Sequence, residues 1–362
     1  MRRILKSKVK KILIIRLSSI GDIVLTSPVI RLLRENYPHA QIDFLVRTEY
    51  AELVKFDKNL SYVYQYDVTS GWKGLREMKA FLKEQGFDVI IDLHRNFRSL
   101  YLRSISPGPS ILKYNKNRIL RFLLVKFKIN LYSRYVGEGL SVTRKYLAAL
   151  KILGIPQIDL RLKTHLPKVT KMKSENLWSA LEGENFRVIV APGAKHFTKR
   201  WPPTYYAELI KRIYAQYRWR CIMLGSLEEI PLLREIRDLA GGEATDLAAG
   251  NITLLEAAGI IEKAPILISN DSGLMHIAAT FRKPQIAIFG STTQELGFFP
   301  LNKKAIVVEN ENLSCRPCSH IGRNSCPKGH FKCMVEIKPE SVFKVFQFMV
   351  EKYKILRHSI ID

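Results

Sequence analysis

The chain has 362 residues, of which 47% are hydrophobic, and this length exceeds the size at which a single hydrophobic core stops growing. Two domains of roughly 150 to 180 residues are therefore expected. The formal charge of +25 favours a polyanionic partner, which would be a nucleic acid, an acidic lipid surface or a phosphorylated ligand, over a basic surface with no partner.

The start of the chain does not resemble a signal peptide. MRRILKSKVKKILIIRL is basic but has only a short apolar run, and no run in the chain approaches the roughly 18 apolar residues that a membrane span requires. We therefore expect a cytoplasmic protein. Its five cysteines would lie in a reducing compartment, where metal ligands or plain thiols are more common than disulfides.

Short β-rich runs alternate with amphipathic helical patterns in each half of the chain. The first series is KILIIRL, SPVIRLLRENY, IDFLV, YVYQYD, GLREMKAFLKEQGF and DVIIDL. The second begins near residue 186 and consists of FRVIVAPG, TYYAELIKRIYAQY, RCIMLGS, APILISN and QIAIFGS. Alternation of this kind predicts an α/β fold with a doubly wound parallel sheet in each half.

The segment GIPQIDLRLKTHLPKVTKMKS lacks periodicity and contains Pro156 and Pro167, so it is predicted to link the halves. The predicted domains are 1–165 and 166–338, followed by a closing helix in 339–362 that PESVFKVFQFMVEKYKIL indicates by its apolar spacing. Two such domains predict a cleft at the carboxyl ends of their strands.

The stretch RLSSIGD ends the first predicted strand with hydroxyls, a glycine and a carboxylate. Gly21 permits a close approach to the backbone, and Asp22 is the only acid of the loop. Asp22 is therefore either a general base for an attacking hydroxyl or a helix cap. Ser18, Ser19 and Gly21 are candidate acceptor contacts.

The stretch DVIIDLHRNFRS supplies another strand end. Asp92, His94, Arg95 and Arg98 suit an acidic acceptor, although such a mixture also occurs in solvated loops.

The stretch APILISNDSGLMHIAAT runs from a strand into a helix that begins with a hydroxyl and a glycine, Ser272 and Gly273. Exposed amides at a helix start favour an anion. Asp271 carries the wrong charge for phosphate and indicates a sugar hydroxyl contact or a cap. His276 lies on the same helix face as Ser272, where it either reaches a ligand phosphate or packs in the core.

Two further strand ends carry charge. Lys195, Lys199 and Arg200 in APGAKHFTKRWPP suit a diphosphate or form a solvated basic loop. Glu228 and Glu229 in GSLEE are candidate acceptors for ribose hydroxyls.

Taken together, the motifs resemble the ADP-heptose:lipopolysaccharide heptosyltransferases of glycosyltransferase family 9. RLSSIGDIVLTSPVIRLLRENYP, FDVIIDLHRNFRS, PGAKHFTKRWPPTYYAEL, NDSGLMHIAATFRKPQIAIFGST and CRPCSHIGRNSCPKGHFKCM occur in the family's order. The cysteine segment is more similar to the second heptosyltransferase of the inner core than to the first. The resemblance implies a GT-B fold with two Rossmann-like domains and a central cleft. It implies that the N-terminal domain binds the acceptor and that the C-terminal domain binds the nucleotide sugar. It also implies that the last helix crosses back to pack on the N-terminal domain.

The resemblance also implies a function and a site. The function is inverting transfer of L-glycero-D-manno-heptose from ADP-heptose to a phosphorylated lipopolysaccharide precursor, without a cofactor, on the inner face of the inner membrane. Asp22 corresponds to the proposed base. The implied donor contacts are Lys199, Asp271, Gly273 and His276, with Glu228 or Glu229 on the ribose. The chain departs from some members where Lys195 and His196 replace adjacent threonines, leaving Thr198 as the only hydroxyl.

Other functions remain open. A GT-B transferase with another nucleotide sugar, or a sugar-nucleotide epimerase, would use the same donor motifs. A non-enzymatic polyanion-binding protein would use the charge on nucleic acid, but no recognition helix or RNP-like aromatic platform is present, so we predict no nucleic-acid partner.

The basic segment KYNKNRILRFLLVKFKINLYSRY, from Lys113 to Tyr135, mixes cations and aromatic residues with aliphatic ones. This composition predicts contact with an anionic membrane surface, or else an ordinary amphipathic helix with a solvated basic face.

Cys315, Cys318, Cys326 and Cys333 form C-x2-C-x7-C-x6-C. Four thiols at this spacing can bind zinc, but the second pair is not C-x2-C and the resemblance accounts for the segment without a metal. We therefore predict no metal, with zinc as the alternative.

Overall fold

Residues 9–105, 109–137, 140–156, 159–180, 187–250 and 252–355 are described by a computed structural model. The chain divides into two units: unit 1 lies within Met1–Arg118 and Glu138–His165, and unit 2 within Ile119–Gly137 and Leu166–Asp362. Residues 119–137 therefore belong to unit 2, although the sequence places them in the N-terminal domain. Two hydrogen bonds explain this difference, because Lys128 Nζ donates to Pro317 O across 2.6 Å and Asn130 Nδ2 donates to Glu295 Oε1 across 2.9 Å.

Unit 1 contains a parallel sheet. Its strands are β1 (Lys11–Ile15), β2 (Gln41–Arg47), β3 (Tyr62–Tyr66), β4 (Val89–Asp92) and β5 (Ser110–Lys113). Its helices include α1 (Ile20–Val24), α2 (Ser27–Asn36), α3 (Glu52–Lys55), α4 (Gly71–Glu84) and α5 (Phe97–Arg103). The chain continues through α6 (Arg118–Phe122), a π-helical turn at Leu123–Phe127, α7 (Tyr132–Tyr135) and α8 (Val142–Ala148), which returns to unit 1.

The strand order in unit 1 is β3-β2-β1-β4-β5, so the order reverses between β1 and β4. Such a reversal opens a crevice at the carboxyl ends of the two strands, where ligands bind in open α/β sheets. Ile15 at the end of β1 pairs with Asp92 at the end of β4. Both acidic motifs of the first half therefore leave the sheet at this crevice.

Unit 2 contains a second parallel sheet with helices. Its strands are β6 (Arg187–Ala191), β7 (Arg220–Gly225), β8 (Thr245–Ala249), β9 (Leu267–Asn270), β10 (Gln285–Phe289) and β11 (Ala305–Glu309). Its helices include α9 (Lys168–Ala180), α10 (Pro203–Tyr217), α11 (Ile230–Ala240), α12 (Leu254–Lys263), α13 (Gly273–Thr280), α14 (Lys332–Val335) and α15 (Pro339–Lys352).

The strand order β11-β10-β9-β6-β7-β8 is the dinucleotide-binding order, in which the reversal falls between β6 and β9. The doubly wound α/β fold predicted for each half is confirmed. In the described part of the chain, the helices are all too short or too polar to cross a bilayer.

The closing helix α15 forms as predicted, and its apolar face packs within unit 2. That the helix crosses back to the N-terminal domain stays a prediction. Its apolar face, Val342, Phe346 and Met349, is fully buried in the same core cluster as Ile210 and Ile213 of α10. The apolar stripe of α15 is therefore satisfied inside unit 2.

Candidate functional site

The stretch RLSSIGD leaves β1 at the reversal point of unit 1 and enters α1, so Asp22 lies in the first turn of a short helix. The N-cap of that helix is Ser19 and not Asp22. In the described part of the chain, the side chains that contact the Asp22 carboxylate include those of Arg16, Ser19 and Tyr146. Arg16 Nη2 lies 2.6 Å from Oδ2, the Ser19 hydroxyl donates to Oδ2 across 3.1 Å, and the Tyr146 hydroxyl donates to Oδ1 across 3.0 Å. These contacts fix the orientation of a carboxylate whose side chain is 17% exposed.

Arg16 is the buried cation of this cluster. Burial alone would lower the pKa of its guanidinium, but the attraction of Asp22 and the contribution of Tyr146 outweigh burial and raise the pKa overall. Arg16 also donates to Leu93 O across 2.5 Å, which connects the loops after β1 and β4. Burial raises the pKa of Tyr146 well above its usual value, so the phenol remains a hydrogen-bond donor to Asp22.

His94 lies beside the same cluster. Burial, together with the positive charges of Arg16 and Lys116, lowers the pKa of His94 to about 3, against smaller upward contributions from Asp22 and from a hydrogen bond to the Ser18 backbone. The structure thus brings together His94, Ser18 and Asp22, which are three of the candidate site residues from the sequence. His94 is therefore a neutral imidazole at neutral pH.

This shift makes the stability of the protein depend on pH. Below pH 6.5 the unfolded state binds a proton at His94 that the folded state does not bind until about pH 3, so the free energy of unfolding falls as the pH falls. The His94 contribution is at most about 1.4 kcal/mol per pH unit. Urea unfolding at pH 7 and pH 5.5 should show a smaller pH dependence for His94→Gln than for the wild type. His39→Gln, at an exposed position, is the control, and equal pH slopes in all three proteins would contradict the assignment.

Three other residues of DVIIDLHRNFRS differ in their surroundings. Asp92 is fully buried and accepts from the His94 and Arg95 amides across 3.0 and 2.8 Å and from the Ser99 hydroxyl across 3.1 Å. It therefore stabilises the loop and offers no exposed carboxylate to an acceptor, which corrects that prediction. Arg95 Nη1 donates to Tyr114 O across 2.6 Å, and Arg98 is exposed in the first turn of α5.

Lys199 and Asp271 meet at the reversal point of unit 2. Lys199 ends a short 3-10 turn after β6, Asp271 follows β9, and Lys199 Nζ lies 2.7 Å from Asp271 Oδ2. The Thr292 hydroxyl donates to the same oxygen across 2.7 Å. Asp271 is therefore neither a helix cap nor directed at open solvent, since its side chain is 5% exposed. It positions the ammonium group of Lys199.

Helix α13 starts immediately beside this ion pair. Its N-cap is Ser272, whose hydroxyl makes no cap hydrogen bond and is buried without a hydrogen-bond partner in the described part of the structure. Gly273 is the first helical residue, so unsatisfied backbone amides point away from the helix start. His276, one turn later, is only 3% exposed, and its contact with a ligand phosphate stays a prediction.

The two acids of GSLEE lie in different environments. Glu228 is exposed. Glu229 accepts from the Ser226 amide across 2.9 Å, and a Cβ atom added to Gly193 would lie only 2.0 Å from Glu229 Oε1. The Glu229 carboxylate therefore lies directly over Gly193 in the backbone that follows β6, where only a glycine fits. Glu228 is instead exposed to solvent.

The cysteine segment supports the Lys199 loop. The Thr198 hydroxyl donates to Ser291 Oγ across 3.0 Å and accepts from the Arg323 amide across 2.8 Å. Arg316, 9% exposed, donates from Nε to Gly290 O across 2.5 Å and from Nη2 to Thr292 O across 2.8 Å. Thr198 is thus occupied by structural contacts, and the segment fixes the loop that carries Thr292.

The cysteines themselves are thiols in this structure. Cys315 Sγ lies 3.9 Å from His330 Nε2, and burial raises the pKa of Cys333 to about 12. Across the described ranges, no three His, Cys, Asp or Glu side chains are grouped so that they could bind a metal ion. The zinc alternative therefore has no ligand set in this part of the chain.

Sequence reasoning missed Arg16, Tyr146 and Thr292. Arg16 carried a usable signal, because an arginine at the end of an apolar strand is buried only with an acidic partner. Thr292 follows β10 in the same manner as the other strand-end motifs. Tyr146 carried no signal, since it reaches Asp22 from 124 residues away.

Solved structures of known proteins share this fold. A glycosyl transferase family 9 protein from Veillonella parvula superimposes with a TM-score of 0.78 at 19% identity, covering 95% of this chain and 98% of its own. The ADP-heptose lps heptosyltransferase II of Escherichia coli gives a TM-score of 0.73 at 21% identity, covering 95% and 99% of the two chains. These likenesses and the two parallel sheets confirm the GT-B fold class.

Sequence comparison leads to the same group. The lipooligosaccharide heptosyltransferase 2 of Haemophilus influenzae is 26% identical across 94% of this chain and 99% of its own. The lipopolysaccharide heptosyltransferase 2 of Escherichia coli K12 is 24% identical across 92% and 97%. The family model of glycosyltransferase family 9 (heptosyltransferase) matches residues 75–328, which include the Lys199 and Asp271 motifs. The chain therefore belongs to glycosyltransferase family 9, the heptosyltransferases, and is a glycosyltransferase enzyme.

Proposed function

We propose that the protein is an inverting heptosyltransferase that transfers heptose from ADP-heptose to the inner core of a lipopolysaccharide precursor. The observation that carries the proposal is the site at the β6/β9 reversal point, where Lys199 lies beside the start of α13 in a chain of this family. The names of the Haemophilus and Escherichia relatives support the choice of donor and acceptor.

The donor diphosphate would bind at the start of α13. Lys199 supplies a positive charge, and the orphan amides with the Ser272 hydroxyl supply donors for phosphate oxygens. Gly273 lets the diphosphate approach the backbone, and His276 remains a proposed contact from one turn inside the helix. When the bond between the anomeric carbon and the diphosphate oxygen breaks, these groups would stabilise the negative charge of the departing ADP.

Asp22 would act as the general base on the acceptor. It takes the proton of the acceptor hydroxyl while that oxygen attacks the anomeric carbon from the face opposite the leaving ADP, which inverts the configuration. Ser18, Ser19 and Gly21 border the carboxylate and would position the hydroxyl. Arg98, which is exposed, would contact acidic groups of the acceptor.

Glu229, and not Glu228, is the proposed ribose contact, because its carboxylate lies over Gly193 beside β6. Glu229→Gln is expected to raise the KM for the donor about tenfold, since a carboxylate accepts a charged hydrogen bond that an amide makes more weakly. Glu228→Gln is the matched control and should leave the KM unchanged. Initial-rate kinetics with varied donor would measure both, and equal effects of the two substitutions would contradict the choice.

Transfer of heptose from ADP-heptose to a Kdo-lipid A or a monoheptosyl acceptor tests the function directly, and the NMR couplings of the product report the anomeric configuration. Retention of configuration would exclude the inverting mechanism. Thermal stabilisation by ADP, UDP and GDP tests the donor, because a ligand that binds only the folded state raises its stability. A preference for UDP or GDP would favour another nucleotide sugar or the epimerase reaction.

The protein would associate peripherally with the anionic inner face of the inner membrane. In the segment from Lys113 to Tyr135, Phe122, Phe127 and Ile129 are exposed at 58%, 57% and 47%, next to basic residues. Leu124 and Tyr132 of the same segment are buried, and Lys128 and Asn130 donate to Pro317 O and Glu295 Oε1 of unit 2. This pattern of exposed apolar and basic side chains supports membrane contact. Flotation of the wild type and a Phe122→Ser, Phe127→Ser double variant with anionic vesicles tests the proposal.

A further inference from the structure

An exposed aromatic patch lies on unit 1, in residues to which the proposed function assigns no role. It consists of Trp72 at the start of α4 and Phe97 and Leu100 of α5, which are 57%, 68% and 50% exposed, and we call it the Trp72 patch. We propose that unit 1 docks on an anionic lipid bilayer through this patch.

The Trp72 patch rests on a rigid base. The Trp72 ring packs edge to face against Tyr101, with ring centroids 5.2 Å apart, and against Phe97 at 5.9 Å. Tyr101 packs on the hydrophobic core of unit 1, to which α4 also contributes Leu75. The Trp72 ring is thus held between Phe97 and the partly buried Tyr101, so less side-chain entropy would be lost when the rings insert into a lipid interface.

Cations surround the Trp72 patch. Lys73, Arg76 and Arg98 are exposed, and Lys79 Nζ lies 4.3 Å above the Tyr101 ring. The acids of α4 and α5 are Glu77 and Glu84, and Glu84 lies at the end of α4 opposite Trp72. Tryptophan and phenylalanine next to lysine and arginine are the side chains that favour the headgroup region of an anionic membrane.

The positive charge around the Trp72 patch also argues against a second copy of the chain as its binding partner. A two-fold symmetric dimer would place the Trp72 patch against itself, so the cations around it would face identical cations. Phosphate headgroups, by contrast, complement these cations while the acyl region accepts the rings.

The Trp72 patch lies close to the loop that leads to the Asp22 cluster. Helix α5 begins three residues after His94, and the loop that carries His94 is connected to the Asp22 cluster through Arg16 and Leu93. Docking at this edge of the sheet would bring a lipid-linked acceptor to the Asp22 carboxylate. The choice of the membrane and this last step rest on the proposed function, whereas docking of unit 1 on lipid does not itself require transfer activity.

Tryptophan fluorescence of the wild-type protein tests the proposal. Trp201 and Trp219 are 1% and 6% exposed and Trp178 is partly exposed, so Trp72 is the most exposed of the four tryptophans. Phosphatidylcholine vesicles with phosphatidylglycerol should shift the emission to shorter wavelength, and brominated acyl chains should quench it. Vesicles without phosphatidylglycerol should do so much less. Trp72→Tyr should retain vesicle binding but lose the shift, and an unchanged shift in this variant would overturn the assignment.

Vesicle flotation supplies the second measurement. A Trp72→Ser, Phe97→Ser variant should bind anionic vesicles about tenfold more weakly, because both rings lose their burial in lipid. Phe348→Ser, which removes an exposed ring from α15 in unit 2, is the control and should bind like the wild type. Equal binding of all three proteins, or a change of oligomeric state as the only effect of the double variant, would overturn the proposal.

A de-acylated, water-soluble acceptor separates this inference from the proposed function. The Trp72→Ser, Phe97→Ser variant should transfer to that acceptor at the wild-type rate and lose rate only with vesicle-embedded acceptor. Equal loss of rate with both acceptors would overturn docking as the role of the Trp72 patch. Absence of transfer by the wild type with either acceptor would instead contradict the proposed function.

Discussion

Asp22→Asn is expected to lower kcat for heptose transfer about 10³-fold, because an amide of the same size cannot take the proton of the acceptor hydroxyl. The ADP affinity should remain at the wild-type value, since ADP is proposed to bind in unit 2. The substitution also leaves the buried Arg16 without its carboxylate, so the free energy of unfolding should fall by about 3 kcal/mol. Steady-state kinetics, ADP titration and urea unfolding measure the three quantities.

Tyr146→Phe is the matched control for Asp22. It keeps the carboxylate and removes one hydrogen bond that orients it, so kcat should fall by about tenfold. Comparison of kcat in the two variants thus separates the effect of losing the proton acceptor from the effect of losing its orientation. A kcat of Asp22→Asn equal to that of the wild type would remove Asp22 as the base, and a larger effect of Tyr146→Phe than of Asp22→Asn would point to the phenol instead.

Lys199→Met is expected to lower kcat/KM for ADP-heptose about 10²-fold. The substitution removes the cation that would stabilise the departing diphosphate, and it leaves Asp271 as a buried carboxylate with Thr292 as its remaining partner described here. The ADP affinity should fall in parallel, because the same charge would bind the product. Kinetics with varied donor and calorimetric ADP titration measure the two effects.

Lys195→Met is the control for this prediction. Lys195 lies four residues earlier in the same loop but is exposed, whereas the Lys199 side chain is 15% exposed and paired with Asp271. An exposed lysine contributes little specific binding energy, so this variant should keep the wild-type kcat/KM. Equal losses in both variants would mean that the loop acts through its total charge and not through the position of Lys199.

The fold followed from local pattern, and so did the positions of the candidate site residues in it. Apolar strands followed by Asp22, His94 and Asp271 are visible in the sequence, and parallel topology places the ends of neighbouring strands at one edge. Such information is short-range, because each motif occupies one strand and the turn after it. The sequence alone therefore predicts which acidic and basic groups lie at the carboxyl edge of each sheet.

The side chains that contact these acidic and basic groups could not be predicted in the same way. Whether Asp271 meets a ligand or Lys199 depends on the path of a loop, and the contact of Tyr146 with Asp22 depends on α8 returning to unit 1. The apolar face of α15 was visible too, but an apolar stripe does not specify which surface covers it. These contacts therefore depend on the long-range packing of the chain, which the periodicity of the sequence does not specify.

The assignment of residues 119–137 to unit 2 has a consequence for the order of folding. Lys128 and Asn130 contact groups that lie 189 and 165 residues further along the chain, so the segment leaves the ribosome long before its docking surface exists. Contacts between such distant residues form slowly, because a long loop must close first. Unit 2 therefore completes its structure only after nearly the whole chain has been synthesised. A fragment that ends at His165 would separate Lys128 and Asn130 from their partners Pro317 and Glu295, so a single cut cannot divide this enzyme into its two units.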